Sequence, residues 1–432
     1  MKIYIVQPGD TIRSIADQFG VSVSQLIQDN GLVNPFDLVV GQTIVITHPS
    51  QTHRVAEGDT LGSIAEAYGV SVMQILRNNP FLNNREYIYP GELLVISYPV
   101  RGEIATVGFT YPYINEQTLR KTLPFLTYLS VFNYRATGDG RIIPYADDTR
   151  IVQLAKEYGT IPLAMLTTLS AQGESDLNVI YQLLLNSEFQ DIQINNLISI
   201  IREKGFLGAN VVFYNIDSEN ESLHEAFIRR VSERFVREDL YLLLTINYRT
   251  IHTDREVEVE RVDYSALSQY VNGIVFLQFI WGTNYGPPRP VSSIQSLRAL
   301  MEYVKPIIPP DKILIGKPII AYDWELPHTS DSQGANSITV DAALTLAADY
   351  DVPILFDEYS QTPFFNYIQI GALTEHIVWS INANSIQVLM DLIAEYELAG
   401  AAIWNIMVYN QQLWTIVIVN FNIIKLIPDS FG

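Results

Sequence analysis

The chain contains no cysteine among its 432 residues, which excludes disulfide bonds, thiolate metal sites and a cysteine nucleophile. Basic residues are also few, since 27 lysines and arginines face 47 aspartates and glutamates for a formal net charge of −20. Nucleic-acid binding depends on cationic groups that neutralise phosphates, so no nucleic-acid partner is expected. Only six histidines occur, without the spacing of a metal site, and no metal or other cofactor is implied.

Long hydrophobic runs are missing as well. The N-terminal run from Ile3 to Val6 is about four residues, whereas the core of a secretion signal needs 7–15. The most apolar stretch, Trp414 to Ile427, is interrupted by Asn420, Asn422 and Lys425 and is shorter than the ~20 residues that cross a bilayer. We therefore expect neither a classical signal peptide nor a membrane span, and we interpret Trp414 to Ile427 as a buried strand or terminal packing segment.

What the chain does have is apolar material. Hydrophobic residues make up 48% of it and charged residues 17%, which favours a fully globular protein over a disordered one. At ~150 residues per domain, the length predicts two or three domains.

An internal repeat occupies the first hundred residues. Residues 3 to 46 and 52 to 96 match at an offset of 49, so that Val6 to Thr11 corresponds to Val55 to Thr60. The similarity continues through Gly20 to Val23, and after a one-residue insertion Gly41 corresponds to Gly91. Repeats of this length indicate two small units of the same structure.

The residues of the first unit predict a strand, two helices and a closing strand. Asp10 or Thr11 can cap a helix with apolar residues at helical spacing, and Gly20 ends that helix. Ser22 can cap the second helix, and Gly41 turns the chain into the last strand.

This pattern of Gly-Asp-Thr, Ser-Ile-Ala, Gly-Val-Ser and a late glycine resembles the LysM domain, with copies at residues 1–48 and 51–98. The resemblance implies binding of N-acetylglucosamine chains, as in peptidoglycan or chitin, in a groove between the Gly-Asp-Thr turn and the loop after the second helix. The positions carried over are Gly9, Asp10, Thr11 and Asn30, and Gly58, Asp59, Thr60 and Asn79. The alternative is that the aspartates only cap helices and the asparagines only shape turns.

The remainder, residues 101–432, alternates strand-like and amphipathic helical segments, which predicts an α/β protein with a (β/α)₈ (TIM) barrel. We expect a small α+β insertion at about residues 352–381. The eight predicted strands are Ile104 to Thr110, Tyr128 to Tyr134, Ile161 to Leu169, Gly208 to Ile216, Leu242 to Tyr248, Ile274 to Trp281, Ile313 to Tyr322 and Ala401 to Met407. Functional residues of such barrels lie at the C-terminal ends of the strands.

The barrel resembles glycoside hydrolase family 18, specifically the branch that joins LysM repeats to a barrel in spore N-acetylglucosaminidases of endospore-forming bacteria. The resemblance lies in Gly316 to Trp324, Pro363 to Tyr367, Trp281-Gly282 and Gly400 to Trp404. It implies a sugar groove, for which Trp281, Asp323, Trp324 and Trp404 are candidates, although core packing is an equally good interpretation of each aromatic ring.

Three positions depart from what the resemblance implies for catalysis. The family uses a glutamate at the end of the fourth strand as the acid, an aspartate two residues earlier, and a tyrosine on the sixth strand. In ungapped register this chain has Tyr214, Val212 and Phe279 there. A tyrosine of ordinary pKa is a poor acid, and losing the general acid costs ~10²–10⁴-fold.

A shifted register would instead use Asp217 and Glu219, which keep the Asp-x-Glu spacing. It requires a five-residue displacement although the flanking residues match without one. The other interpretation of this segment is a capping box formed by Ser218 and Glu221 at the start of the next helix.

These residues favour a glycan-binding protein of the spore envelope or cell wall whose barrel is inactive. The alternatives are an active, cortex-lytic N-acetylglucosaminidase that uses Asp217 and Glu219, and a self-assembling coat or fibre protein. The expected partner is a peptidoglycan or chitin-like glycan, together with a possible homo-oligomer or coat assembly.

Overall fold

The computed structural model describes residues 1–85, 87–170, 175–252, 257–278, 286–329 and 334–431. Its N-terminal part consists of two units with the predicted order of strand, helix, helix and strand. The first comprises β1 (Lys2–Ile5), α1 (Ile12–Phe19), α2 (Val23–Asn30) and β2 (Thr43–Ile46). The second comprises β3 (Gln51–Arg54), α3 (Leu61–Tyr68), α4 (Val72–Asn78) and β4 (Leu93–Ser97). In each unit the two strands pair antiparallel.

The helix ends follow from the residues that cap them. Thr11, and not Asp10, caps α1: its side chain accepts the backbone N–H of Ser14, whose hydroxyl accepts the N–H of Thr11 in return. Gly20 ends α1 in the left-handed conformation at φ 66°, and Ser22 caps α2 as predicted. Such caps satisfy backbone groups that the helix leaves without partners.

Eight parallel strands close into a barrel, and all eight correspond to predicted segments. They are β5 (Glu103–Thr110), β6 (Tyr128–Ala136), β8 (Ile161–Thr167), β9 (Gly208–Phe213), β10 (Tyr241–Ile246), β13 (Gly273–Phe276), β14 (Ile313–Pro318) and β20 (Gly400–Trp404). The short strand β7 (Ile142–Pro144) pairs with β6, and β11 (Thr250–His252) and β12 (Val257–Val259) form a hairpin. The predicted TIM-barrel fold is confirmed.

Helices surround the barrel and cover the outward-facing apolar residues of its strands. They are α5 (Glu116–Thr122), α6 (Thr149–Glu157), α7 (Leu177–Leu185), α8 (Ser187–Lys204), α9 (Glu221–Arg237), α10 (Ser265–Tyr270), α11 (Ile294–Val304), α13 (Ala383–Tyr396) and α14 (Gln411–Asn420). Within the described residues, no helix is both long and apolar enough to traverse a membrane.

The insertion is larger than the predicted 352–381. A five-stranded antiparallel sheet contains β15 (Ala321–Leu326), β16 (Asn336–Ile338), β17 (Leu355–Asp357), β18 (Thr362–Ile368) and β19 (Glu375–Trp379), with α12 (Val340–Asp349) on one face. The segment predicted as one strand from Ile313 to Tyr322 is therefore split between the barrel and this sheet. The barrel strand ends at Pro318, which has no N–H to continue a ladder.

The apolar segment near the C-terminus was interpreted as a strand or packing segment, and it forms a buried helix. In α14 every residue from Leu413 to Asn420 is buried, and the Asn410 side chain caps the helix by accepting the N–H of Leu413. Only the short strand β21 (Asn422–Ile423) follows, paired with β5. A helix that is apolar all round packs against neighbours on every side. Its neighbours include both N-terminal units and the barrel helix α13.

Candidate functional site

Aromatic side chains line the C-terminal mouth of the barrel. Trp404, at the end of β20, is buried, and its ring centroid lies 5.3 Å from that of Phe109 and 6.3 Å from that of Phe132. Beyond them, Tyr145 stacks on Phe132, and Tyr111 lies 6.2 Å from Trp404. Aromatic faces of this kind suit the apolar faces of sugar rings as well as core packing.

Val212 and Tyr214 face into this mouth, as period-2 alternation along β9 predicts. Val212 is 5% exposed and packs in the barrel interior with Trp404, and Tyr214 is half-buried beside the same cluster. Deeper on the same face, the Asn210 amide donates to Ser130 Oγ at 3.0 Å and accepts from Thr245 Oγ1 at 2.9 Å. The inward face of this strand is therefore well defined.

The chemistry of these positions differs from that of a carboxylate pair. Val212 has no titratable group. Burial raises the pKa of the Tyr214 hydroxyl, and the nearby Arg249 charge partly opposes that rise. At neutral pH Tyr214 is thus a weaker proton donor than an ordinary tyrosine, which itself is a poor acid.

Asp217 and Glu219 lie beyond the end of β9, in the loop before α9. The Asp217 carboxylate accepts the backbone N–H groups of Glu219 and Asn220, each at 3.0 Å, and Glu219 is exposed. The expected capping box of Ser218 and Glu221 does not form. The helix begins at Glu221, whose carboxylate instead accepts the Asp263 N–H at 2.8 Å. In the turn before the helix, the backbone N–H groups are bound by the Asp217 carboxylate.

The remaining groove candidates lie in different parts of the structure. Phe279 and Trp281 lie outside the described residues. Trp324 is 2% exposed, and its indole N–H donates to the Gly286 carbonyl at 3.1 Å. Asp323 points to the opposite face of the inserted sheet.

There, the Asp323 carboxylate accepts the Tyr367 hydroxyl at 2.8 Å and lies 3.0 Å from His376 Nδ1. All three side chains are buried. Asp323 therefore lies on the α12 side of the inserted sheet, opposite to Trp324, because adjacent strand residues face opposite sides.

A cavity of about 200 Å³ opens beside Trp404. Ser337, Thr339, Asp341 and Asn405 contribute polar groups to its wall. Asp341, in the first turn of α12, is the carboxylate among the described residues of that wall. Sequence reasoning missed it, because the insertion was placed too late in the chain to include α12.

In the N-terminal units, the Gly-Asp-Thr residues build the turn itself. Asp10 accepts the Gln7 N–H and the Tyr4 hydroxyl, each at 2.7 Å. Asp59 accepts the Ala56 N–H at 2.7 Å and contacts His53 Nε2 at 2.8 Å, and these hydrogen bonds lower its pKa. Thr60 caps its helix as Thr11 does.

The preceding glycines have positive φ, 86° at Gly9 and 91° at Gly58, a conformation that favours glycine. Both turns are thus held by internal hydrogen bonds and a glycine backbone.

The two asparagines are buried inside their units. Asn30 donates to the carbonyls of Leu26 and Val45 and accepts the Val45 N–H at 2.7 Å. Asn79 makes the same three contacts with Ile75 and Val95. Their amides join the second helix of each unit to its closing strand.

Exposed aromatic residues lie in the loop after the second helix of each unit, a feature that the repeat comparison did not reveal. Phe36 is 89% exposed in the first unit, and Tyr87 and Tyr89 are 60% and 50% exposed in the second. The two tyrosine rings meet edge to face at 5.2 Å. Exposed aromatic groups in corresponding loops mark candidate binding surfaces.

The fold agrees with the family comparisons. LysM domain signatures match residues 4–47 and 53–97, and the Glycosyl hydrolases family 18 signature matches residues 132–407. The chain belongs to glycosyl hydrolase family 18 and has two LysM domains ahead of its barrel.

The relatives share this whole arrangement. The chain is 33% identical over 432 residues to the cortical fragment-lytic enzyme of Bacillus subtilis, covering 98% of this chain and 99% of that protein. It is 31% identical to the enzyme of the same description from Bacillus anthracis, with the same coverage. The crystal structure of the spore cortex-lytic enzyme SleL from Bacillus megaterium is similar with a TM-score of 0.79 and 30% identity, covering 98% and 99% of the two chains.

Proposed function

We propose that this protein binds peptidoglycan or a chitin-like glycan in the spore envelope or cell wall and that its barrel does not hydrolyse the chain. The observation that carries the proposal is the inward position of Val212 and Tyr214 at the mouth, since neither of these two side chains is a carboxylic acid and the pKa of Tyr214 is raised by burial. The spore cortex-lytic relatives support the spore as its location.

Binding is assigned to the LysM domains and the aromatic mouth together. The turns at Gly9 and Gly58 offer backbone groups, and the loops after the second helices offer the exposed rings of Phe36, Tyr87 and Tyr89. Because the side chains of Asn30 and Asn79 are already paired, glycan contacts come from the backbone and these rings. Two sites on one chain increase the apparent affinity for a polymer through effective concentration.

The test separates binding from hydrolysis. Purified protein is mixed with spore peptidoglycan, vegetative peptidoglycan and chitin, and both co-sedimentation and release of reducing ends are measured. We expect sedimentation with at least one polymer and no release above a heat-inactivated control, with the cortical fragment-lytic enzyme of Bacillus subtilis as the positive control. Release at a rate comparable to that enzyme would refute the proposed inactivity.

The alternative, an enzyme that uses Asp217 and Glu219, has its own test. If wild-type protein releases reducing ends and Glu219→Gln abolishes the release, that alternative holds. The observed contacts oppose it, since Asp217 is engaged by its own turn and Glu219 is exposed.

Loss of an exposed ring tests the binding surface. Tyr87→Ala removes a ring that is 60% exposed in the second LysM domain, and we expect several-fold weaker sedimentation with glycan. Tyr359→Ala removes a ring of equal exposure, 59%, from the inserted sheet and serves as the matched control. Equal sedimentation of the two variants would argue against this surface.

A further inference from the structure

A second, larger cavity lies between the first LysM domain and the inserted sheet. It encloses about 370 Å³, within the ~300–1,000 Å³ typical of small-molecule sites. Its walls are the loop of residues 31–42, the helix α12, and the residues just before α14. It includes Asn30 and the loop after the second helix of that LysM domain but not the Gly-Asp-Thr turn, so it extends from one side of the groove that the LysM resemblance implies toward the insertion.

The LysM loop and the insertion, which form the walls of this cavity, are in direct contact with each other. Val39 of the LysM loop is buried in the same cluster as Ala343 and Phe365 of the insertion. The Ile354 N–H donates to the Val40 carbonyl at 2.9 Å. Gly41 approaches so closely that a Cβ there would lie 1.9 Å from the Ile354 carbonyl oxygen.

The cavity adjoins the one beside Trp404. Val340, Asp341, Tyr409 and Asn410 line both. Together the two adjoining cavities extend from Trp404 at the barrel mouth, by way of Asp341 and Asn410 in their common wall, to the loop of the first LysM domain. We call these two cavities the interdomain track.

The lining indicates what the track would hold. The lining of the larger cavity includes amide and hydroxyl side chains such as Asn34, Thr345 and Asn382, together with aromatic rings such as Phe364. This combination of hydrogen-bonding groups with a few ring faces suits a chain of N-acetyl sugars, which present hydroxyls, amides and apolar ring faces.

The charged residues of the cavity wall restrict which N-acetyl sugar chains would fit. Among the described residues of the larger cavity, the charged side chains are Asp37, Asp341, Asp349 and Lys121. Three carboxylates against one ammonium give a negative wall, which disfavours an anionic strand at close range. An uncharged strand pays no such penalty.

We propose that the interdomain track is a binding site for an uncharged N-acetylhexosamine strand, so that one strand is held by the first LysM domain and the barrel mouth together. This inference rests on the proposed glycan-binding function and adds a site and a charge preference to it. One ligand that spans two joined sites binds more tightly than it does to either site alone, by ~10²–10⁴-fold where the geometry permits both contacts.

The experiment blocks the track from one helix. Thr345 is exposed on α12 and lines the cavity, whereas Ala342 is exposed on the same helix and does not line it. Thr345→Trp fills the track, and Ala342→Trp is the matched control. Binding of N-acetylglucosamine oligomers from dimer to octamer is measured by calorimetry on the full chain, with thermal unfolding to verify folding.

We expect the affinity of wild type and Ala342→Trp to rise with oligomer length, and Thr345→Trp to lose at least tenfold for the octamer with little change for the dimer. If Thr345→Trp binds the octamer as tightly as wild type does, the interdomain track is not the binding site, and the proposed function is unaffected. Failure of wild-type protein to bind any oligomer or insoluble glycan would overturn both.

A charge variant gives a second readout that does not depend on filling the cavity. Asp349 is exposed, so Asp349→Lys is expected to fold. We expect this variant to bind a carboxylate-bearing peptidoglycan oligomer at least threefold more tightly than wild type and the uncharged oligomer equally well. An unchanged ratio between the two ligands would contradict the charge preference.

Discussion

Replacement of Gly41 by alanine tests how firmly the first LysM domain is attached to the rest of the molecule. Gly41 has φ 86°, and its equivalent in the second domain, Gly91, has φ 91°. Alanine in either position therefore pays a similar backbone cost of ~1–2 kcal/mol. Only Gly41 meets another part of the chain, because nothing lies within 4 Å of a Cβ built on Gly91.

The additional cost at Gly41 can be estimated from the contact. A Cβ at 1.9 Å from the Ile354 carbonyl oxygen forces backbone to move, and overpacking of this kind costs ~1–3 kcal/mol. The same movement weakens the hydrogen bond from the Ile354 N–H to Val40, worth ~0.5–1.5 kcal/mol. We therefore expect Gly41→Ala to be less stable than Gly91→Ala by ~1–4 kcal/mol.

Hydrogen exchange is the appropriate assay because a molecule of several domains need not unfold in one step. The exchange rate of the Ile354 amide is compared in wild type, Gly41→Ala and Gly91→Ala, together with the melting temperature of each. Faster exchange at Ile354 in Gly41→Ala alone is the expected result. Equal exchange in the two variants, or a larger loss of stability in Gly91→Ala, would refute the attachment described above.

Three further predictions concern buried polar groups. Burial raises the pKa of Asp29 from 3.8 to about 6; the folded state then holds a proton that the unfolded state releases, so stability falls as pH rises from about 4 to 6. Asp29→Asn should remove that slope in pH-dependent urea denaturation and stabilise the protein above pH 6 by up to ~3 kcal/mol, and a retained slope would contradict the assignment. Tyr409→Phe deletes a buried hydroxyl that has no partner among the described residues and should leave the melting temperature equal or higher, whereas a clear decrease would show that the hydroxyl is paired. Tyr134→Phe removes the 2.6 Å hydrogen bond to Asp148 and should lower the free energy of unfolding by ~1–3 kcal/mol. Equal stability of Tyr134→Phe and Tyr409→Phe would disprove this prediction.

Local patterns allowed the elements of the fold to be predicted. The caps Thr11 and Ser22 and the glycine at position 20 are determined by residues within a few positions, so their sequence signals are strong. The inward direction of Val212 and Tyr214 follows from the two-residue period of a strand.

Long-range packing could not be predicted in this way. The segment from Trp414 was not recognised as a helix because a segment that is apolar all round has no period to distinguish helix from strand. The sequence did not show on which side Asp323 lies, because its strand belongs to the inserted sheet and not to the barrel. The proposed interdomain track depends on the contact of Gly41 with Ile354. Neither local sequence contains a signal that predicts this contact.

The helix α14 has a consequence for how the chain is made. The Gln412 amide donates to Asn30 Oδ1 at 2.9 Å and to the Thr43 carbonyl at 2.7 Å, and the Thr415 hydroxyl donates to the Asp29 carbonyl. These contacts join residues separated by more than 360 positions. During synthesis Thr43 is made 369 residues before the Gln412 side chain that binds it, so the first LysM domain cannot dock in this arrangement until α14 has also been translated.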